Sequence, residues 1–254
     1  MASAPQAQNL PLFYKDLIPL SSVDHIEYHG RAFENLAIMA DTHAMPLTVD
    51  EFIVAQRSLP IVFSAGDESL PLALFGLNEG VNMSIDADNN LLPNSYLPAY
   101  VRRYPFMLVR LQPDAEDLSL CFDPASGLIG KFEEGTPLFV NGEPSPETKA
   151  TLEFCEQFEM GVQKTLAFMS ELKEYDLLID GEITIEQPGV SQPFIYRGFQ
   201  MVDEAKLRDL RGDQLRKMMQ SGMLPLVHAH LFSLQHMPLL FQRQFEAGKV
   251  QMQG

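Results

Sequence analysis

Cysteine is scarce in this sequence. Cys121 and Cys155 are the only two among 254 residues, and they form neither a C-x-x-C motif nor a metal-type spacing. This pattern excludes a disulfide framework and a cysteine-based zinc site, and it predicts a reducing compartment. Both cysteines lie in apolar segments without a neighbouring histidine, so we expect buried, unreactive thiols.

Positive charge is also in short supply. Lys and Arg number 18 against 34 Asp and Glu, which gives a formal net charge of −16. This balance argues against broad binding to nucleic acids or anionic membranes. The hydrophobic content of 46% and the length of 254 residues are sufficient for a large buried core without disulfide bonds.

Segments typical of secretion and membrane insertion are missing. The opening residues MASAPQAQNLPLFYKDL contain neither a basic n-region nor an apolar h-region, so we expect a cytoplasmic location. Residues 218–242 contain no Asp, Glu, Lys or Arg, and this stretch is long enough for a membrane span. However, Pro225, Pro238 and the Ser221-Gly222 pair interrupt it, so we expect a buried helical segment of a globular core and no membrane span.

Familiar catalytic motifs are absent as well. The sequence contains no G-x-S-x-G, H-E-x-x-H or G-x-G-x-x-G motif. Asp86-x-Asp88-x-Asn90 begins like an EF-hand loop, but Leu91 stands where that loop needs glycine and Leu97 where it needs glutamate. The sequence therefore names no reaction, and we predict neither a cofactor nor catalytic residues from it.

The segments that are present predict an α+β fold. Short strand-like and helix-like segments alternate along the chain without a regular βαβ repeat. We expect a single domain in which a β-rich portion with a mixed or antiparallel sheet, about 10–144, packs against a helix-rich portion, about 145–245. A polar tail, 246–254, follows.

Two local signals predict where helices begin. Thr48 and Glu51 have the spacing of a capping box, in which each residue's side chain bonds the backbone of the other. Ser145 and Pro146 match the N-cap and first position of a helix. Downstream of them apolar residues recur every three or four positions over 155–172, which predicts the longest helix of the protein.

A cationic segment flanked by tyrosines stands out in this acidic chain. Arg102 and Arg103 are adjacent, and Tyr96, Tyr100 and Tyr104 surround them. Guanidinium groups bind carboxylates and phosphates through two parallel hydrogen bonds, so this cluster is the predicted ligand-binding site for an anion or a peptide terminus. The alternative is that each arginine pairs with an internal carboxylate and holds the fold together. The sequence leaves both alternatives open.

Histidines offer a weaker alternative, a metal site. Residues 23–29 alternate between polar and apolar, which predicts a strand with His25 and Glu27 on one face. With a distant histidine they would match the ligand types of a non-haem iron site, although our main expectation is that no metal is bound. The three histidines within 228–236 fan out around a predicted helix and do not converge.

Four segments carry a resemblance to a known family. They are Phe13-Tyr14-Lys15, Pro60-Ile61-Val62-Phe63, the block YLPAYVRRYPF at 96–106, and HAHLFSL at 228–234. Together they span nearly the whole chain, and they resemble the bacterial SapC family. The resemblance implies a connection with a surface-layer locus. It also implies gene neighbours that encode TonB-dependent receptors, tryptophan-halogenase-like flavoproteins and cupin-like proteins, and it supplies no catalytic residues.

The residues and the resemblance together predict a non-enzymatic accessory or binding protein, linked to a surface-layer or TonB-dependent uptake system. We expect a protein, a peptide or a small anionic ligand as its partner, contacted by Arg102 and Arg103. Halogenase-like or cupin-like neighbours are candidate partners, and a homo-oligomer is compatible with the sequence. The alternative is an enzyme or enzyme subunit, either metal-dependent through His25 and Glu27 or auxiliary to a halogenase-like flavoprotein.

Overall fold

The computed structural model describes residues 10–112, 117–186 and 193–250. Strands predominate in the first half of the chain and helices in the second, so the predicted α+β class is confirmed. The last four residues of the predicted polar tail, 251–254, lie outside the described residues.

The strands of the described residues are numbered along the chain. They are β1 (Ile18–Pro19), β2 (His29–Gly30), β3 (Ala44–Pro46), β4 (Ile61–Ser64), β5 (Pro71–Leu74), β6 (Phe106–Val109), β7 (Ser119–Phe122), β8 (Ile129–Gly130), β9 (Thr136–Pro137), β10 (Phe139–Val140), β11 (Glu143–Pro144), β12 (Leu178–Ile185) and β13 (Phe194–Val202).

The α-helices of the same residues are α1 (Phe52–Ala55), α2 (Ala99–Arg102), α3 (Pro146–Glu174), α4 (Glu204–Asp209), α5 (Gly212–Gln220), α6 (Met223–Ser233) and α7 (His236–Glu246). Short 3-10 helices span Ala37–Met39, Val49–Glu51 and Pro124–Ser126.

The predicted long helix is α3, which has 29 residues. It begins at Pro146, and the hydroxyl of Ser145 accepts a hydrogen bond from the Thr148 amide at 3.1 Å, as expected for an N-cap. The charge-free residues 218–242 fall into the end of α5, all of α6 and much of α7. Among the described helices, none combines the length and the hydropathy that crossing a membrane requires.

The chain divides into two compact units, each built from two separated segments. The first unit comprises Met1–Glu34 and Val101–Met160, and the second comprises Asn35–Tyr100 and Gly161–Gly254. These units do not coincide with the portions 10–144 and 145–245 expected from the sequence. The single-domain assignment stays a prediction.

The first unit contains small antiparallel sheets. One has the strand order β1-β7-β6, a second has the order β8-β2-β9, and β10 pairs with β11 as a hairpin. Their apolar faces enclose a core together with α3 residues, formed by Phe106, Leu108, Phe122, Ile129, Leu138, Phe139 and Cys155.

The second unit is built on an antiparallel sheet of five strands in the order β12-β13-β4-β5-β3. Its core combines sheet residues such as Val62 and Phe199 with Met237 and Phe241 of α7. Gly181 of β12 is required by close packing, because a Cβ atom there would lie 2.2 Å from the ring of Phe199.

The predicted capping box is confirmed and extends beyond one helix end. The buried carboxylate of Glu51 accepts hydrogen bonds from the Thr48 amide at 2.9 Å and the Thr48 hydroxyl at 3.0 Å. It also accepts bonds from the Tyr96 hydroxyl at 3.0 Å and the Ala99 amide at 2.7 Å. Glu51 therefore caps the 3-10 helix that it belongs to and the start of α2 with the same side chain.

A buried histidine connects the sheet of the second unit to α6. His230 is fully buried, and its Nε2 accepts a hydrogen bond from the Val202 amide at 3.1 Å. Its Nδ1 lies 2.8 Å from the carbonyl oxygen of Ile61, so Nδ1 carries the proton and donates it to that oxygen. These two bonds fix one neutral tautomer, and burial lowers the pKa of His230 to about 4.

The pKa of His230 predicts acid sensitivity. In the unfolded chain the imidazole has its ordinary pKa of 6.5, so between pH 6.5 and about 4 the unfolded state binds the additional proton. The free energy of unfolding should therefore decrease by about 3 kcal/mol as the pH falls through this window. Urea unfolding at pH 7, 5.5 and 4 measures the change, and NMR titration of the His230 ring isolates its contribution. A ring that titrates near pH 6.5 in the folded protein would contradict the assignment.

Candidate functional site

Arg103, one of the two predicted ligand-binding arginines, points into the first unit. The residue is 5% exposed, and its Nη1 lies 3.5 Å from Oε1 of Glu159 on α3. The guanidinium carbon is 4.1 Å from the centroid of the Phe158 ring and 5.9 Å from that of Tyr14. Burial raises the pKa of Glu159, and the neighbouring Arg103 opposes that rise. For Arg103 the structure therefore shows the internal pairing that the sequence left as an alternative.

Tyr104 is also an internal residue of the first unit. Its hydroxyl donates a hydrogen bond to Oδ2 of Asp123 at 3.3 Å, and the ring packs edge-on against Tyr14 at 5.1 Å. Burial, together with the Asp123 charge, raises the pKa of Tyr104 to about 12. Asp123 is fully buried and accepts further bonds from the amides of Lys15 and Ala125, each at 2.8 Å. Tyr104 thus completes the hydrogen bonding of a buried carboxylate.

Tyr96 and Tyr100 belong to the second unit. Tyr96 is half-buried and donates its hydroxyl proton to Glu51, as described above. Tyr100 lies in α2 and is 6% exposed. Neither phenol ring is an open platform for a ligand.

Arg102 is the exposed member of the predicted cluster. Its guanidinium carbon lies 5.1 Å from the centroid of the Phe154 ring on α3, within the range of a cation–π contact. Since Arg103 is buried and Arg102 is exposed, the structure does not present the two guanidinium groups together to one anion. Ligand binding stays a prediction for Arg102.

His25 and Glu27 occupy a turn and not the predicted strand. The His25 amide bonds the Ser21 carbonyl and the Tyr28 amide bonds the His25 carbonyl, a pattern of turns that breaks the alternation expected over 23–29. The His25 ring accepts a hydrogen bond from the Ser21 amide at 3.0 Å, and burial lowers its pKa. Glu27 is exposed and pairs with Lys131 at 2.7 Å.

The remaining candidate ligands and nucleophiles have structural contacts. His228 and His236 each bond a backbone carbonyl, at 2.9 Å in both cases. Burial raises the pKa of Cys121 and of Cys155 to about 11, so both thiols are protonated at neutral pH, as expected from their apolar surroundings. Among the described residues, no group of three or more His, Cys, Asp or Glu side chains is placed to hold a metal ion.

A cleft of about 580 Å³ opens in the first unit, and this volume lies within the range of small-molecule sites. The segment after β1 and strand β7 form one side, where the Leu20 amide bonds the Leu120 carbonyl at 2.8 Å. The β10–β11 hairpin and the first turns of α3 form the other sides. The lining residues are Leu20, Ser22, Ser119, Leu120, Phe139, Gly142, Glu143, Pro144, Thr148, Lys149 and Leu152.

The cleft combines an apolar floor with polar groups at its margin. Leu120, Phe139 and Leu152 contribute apolar surface, whereas Glu143 and Lys149 are exposed charged residues. The hydroxyl of Thr148 donates to the Leu138 carbonyl at 2.8 Å and is therefore already bonded internally. No sequence motif indicates this site, because its lining comes from segments that are separated by up to about 130 residues.

Comparison with known proteins adds one finding about ancestry. The family model described as SapC matches residues 20–240 of the 254-residue chain. The chain belongs to the SapC family. No curated protein and no solved structure matches the chain.

In this SapC-family chain the block at 96–106, which carries the resemblance, is mainly structural. Three of its residues bond carboxylates of their own unit: Tyr96 bonds Glu51, Arg103 pairs with Glu159, and Tyr104 bonds Asp123. The block thus supplies donors to two buried carboxylates, Glu51 and Asp123, and to the partly buried Glu159.

The two adjacent arginines provide a matched pair of substitutions. Arg103→Ala leaves the partly buried Glu159 without its counter-charge, so we expect the free energy of unfolding to fall by about 2–4 kcal/mol. Arg102→Ala alters an exposed side chain, and the expected change is within about 0.5 kcal/mol. Urea denaturation of both variants, followed by circular dichroism, measures the difference. An equal loss of unfolding free energy in the two variants would show that the contacts of Arg103 stabilise the fold no more than those of Arg102.

Proposed function

We propose that this SapC-family chain is a cytoplasmic, non-enzymatic binding protein that serves a surface-layer or TonB-dependent uptake system. The observation that carries the binding role is the cleft between β7, the β10–β11 hairpin and α3. The connection with an uptake or surface-layer system is supported by family membership alone.

The composition of the cleft favours binding over chemistry. Its described lining contains neither histidine nor cysteine, and its apolar floor is suited to burying hydrocarbon or aromatic surface. Lys149 provides a positive charge at the margin and Glu143 a negative one, and Ser22 and Ser119 provide hydroxyl groups. The ligand class that fits these groups best is a small apolar molecule with an anionic end, or the carboxyl terminus of an apolar peptide.

The cleft can be tested with 8-anilinonaphthalene-1-sulfonate, an aromatic anion whose fluorescence increases in apolar sites. Leu152→Trp fills the cleft and Lys149→Met removes its positive charge, so each should weaken dye binding at least three-fold in a fluorescence titration. Lys249→Met removes an exposed charge from the second unit and is the matched control. It should leave the affinity unchanged.

Two outcomes would contradict the cleft as the binding site. One is an affinity that is unchanged in both cleft variants although circular dichroism shows them folded. The other is an equal loss in the Lys249→Met control, which would show that only the net charge matters.

The partner system needs a separate experiment. Affinity capture with the full chain should recover TonB-dependent receptors or surface-layer components of the same cell, and Arg102→Ala should recover less because Arg102 is the exposed cation of the block at 96–106. Glu153→Ala changes another exposed residue and serves as the control. Recovery of neither class of protein by the full chain would reject the assignment to these systems.

A further inference from the structure

Strand β12 lies at the edge of the five-stranded sheet in the second unit. Seven of its eight residues pair in register with β13, with an irregularity between Gly181 and Ile183, and the backbone of Leu178–Ile185 makes no other hydrogen bond within the described residues. At about 3.3 Å per residue the free edge is roughly 26 Å long. The outward N–H and C=O groups of such an edge are a template for one more strand.

The exposed side chains along this edge are acidic. Asp180 and Glu182 alternate with inward-facing residues, and Glu186 follows directly after the strand. Glu182 pairs with Arg197 of β13 at 2.8 Å, whereas Asp180 and Glu186 take part in no ion pair among the described residues. One face of the edge therefore presents three carboxylates, with the exposed Thr184 between Glu182 and Glu186.

The opposite face of the edge is apolar. Ile183 is half-buried and Ile185 is buried against the core that includes Phe194 and Phe241. A strand added beside β12 would place alternate side chains on these two faces, because successive side chains of a strand point to opposite sides. The edge thus fits a segment in which cationic and apolar residues alternate.

An open pocket of about 430 Å³ lies at the start of β12. It is lined by Gly66, Asp67, Lys173, Asp176, Leu178 and Gln200. Lys206 bonds the carboxylate of Asp176 at 2.6 Å, and Lys173 donates to the backbone carbonyl of Asp67. The side-chain oxygen of Gln200 is buried and receives no hydrogen bond from the described residues. A guanidinium or ammonium group in the pocket would supply the missing donor.

We expect the occupant of the edge to be a segment of a different protein. Residues 1–9, 113–116, 187–192 and 251–254, which lie outside the described ranges, contain no Lys or Arg. A second copy that paired through its own β12 would set carboxylates against carboxylates, and like charges directly opposite each other destabilise a strand pair. A basic partner supplies the complementary charge that these alternatives lack.

We propose that β12 binds an extended, basic segment of another protein by β-strand addition. The main-chain groups of Leu178–Ile185 supply the affinity, and Asp180, Glu182 and Glu186 select a strand with Lys or Arg on the face that they share. This surface is distinct from the cleft in the first unit, and it does not depend on what the cleft binds.

The test uses two synthetic peptides, acetyl-(Lys-Val)4-amide and acetyl-(Glu-Val)4-amide. With the basic peptide, hydrogen–deuterium exchange of the amides in 178–185 should slow at least five-fold, and the effect should weaken as salt is raised. The acidic peptide should give no protection. The double variant Asp180→Lys/Glu186→Lys should lose at least ten-fold in affinity for the basic peptide by fluorescence anisotropy.

A matched double variant distinguishes the effect of the carboxylates on β12 from the effect of net charge. Glu153→Lys/Glu156→Lys makes the same change in net charge on exposed positions of α3, and its affinity should stay within two-fold. The proposal is overturned if this control loses affinity equally, if protection appears away from β12, or if the acidic peptide binds as well. No binding of the basic peptide to the wild-type chain, or β12 protection caused by self-association, would also overturn it.

Discussion

In each unit of this protein a buried carboxylate accepts several hydrogen bonds and so connects segments that are far apart in the sequence. An ionised carboxylate in the interior costs several kcal/mol unless its oxygens are bonded, so the chain around it has to bring donors to it. Glu51 receives them from Thr48, Tyr96 and Ala99, and it thereby joins two helix starts that are far apart in sequence. Asp123 plays the same part in the first unit, where the Lys15 amide and the Tyr104 hydroxyl meet.

This requirement explains why three side chains of the block at 96–106 bond carboxylates of their own unit. Tyrosine hydroxyls and a guanidinium are suitable donors to interior carboxylates, because each combines an apolar body with a polar end. Arg103 shows this use: its planar group lies against the Phe158 ring while one nitrogen faces Glu159. Aromatic and arginine residues are also the usual signature of recognition sites, and this is why sequence alone leaves the two roles open.

Whether an interaction can be predicted from the sequence depends on how many positions separate the residues that form it. The capping box at Thr48 and the start of α3 at Pro146 depend on residues three or four positions apart, and both were predicted correctly. The pairing of Arg103 with Glu159 joins residues that are 56 positions apart, so no local pattern reveals it. The strand predicted from the alternating polarity of residues 23–29 was wrong, because a short run of alternating polarity also occurs in successive turns.

The net charge of the chain affects the approach of a ligand differently at the two proposed binding surfaces. The net charge of −16 attracts a basic segment toward β12 over a long range and repels an anion approaching the cleft. An anionic ligand therefore has to gain its affinity at short range, from the apolar floor beside Leu120 and Phe139 and from Lys149. Salt screens the long-range field in both cases, so it weakens the attraction of a basic partner but relieves the repulsion of an anion. The two proposed surfaces therefore use different charged groups, the carboxylates along β12 for a basic segment and Lys149 for an anion, so the two ligands do not compete for the same contacts.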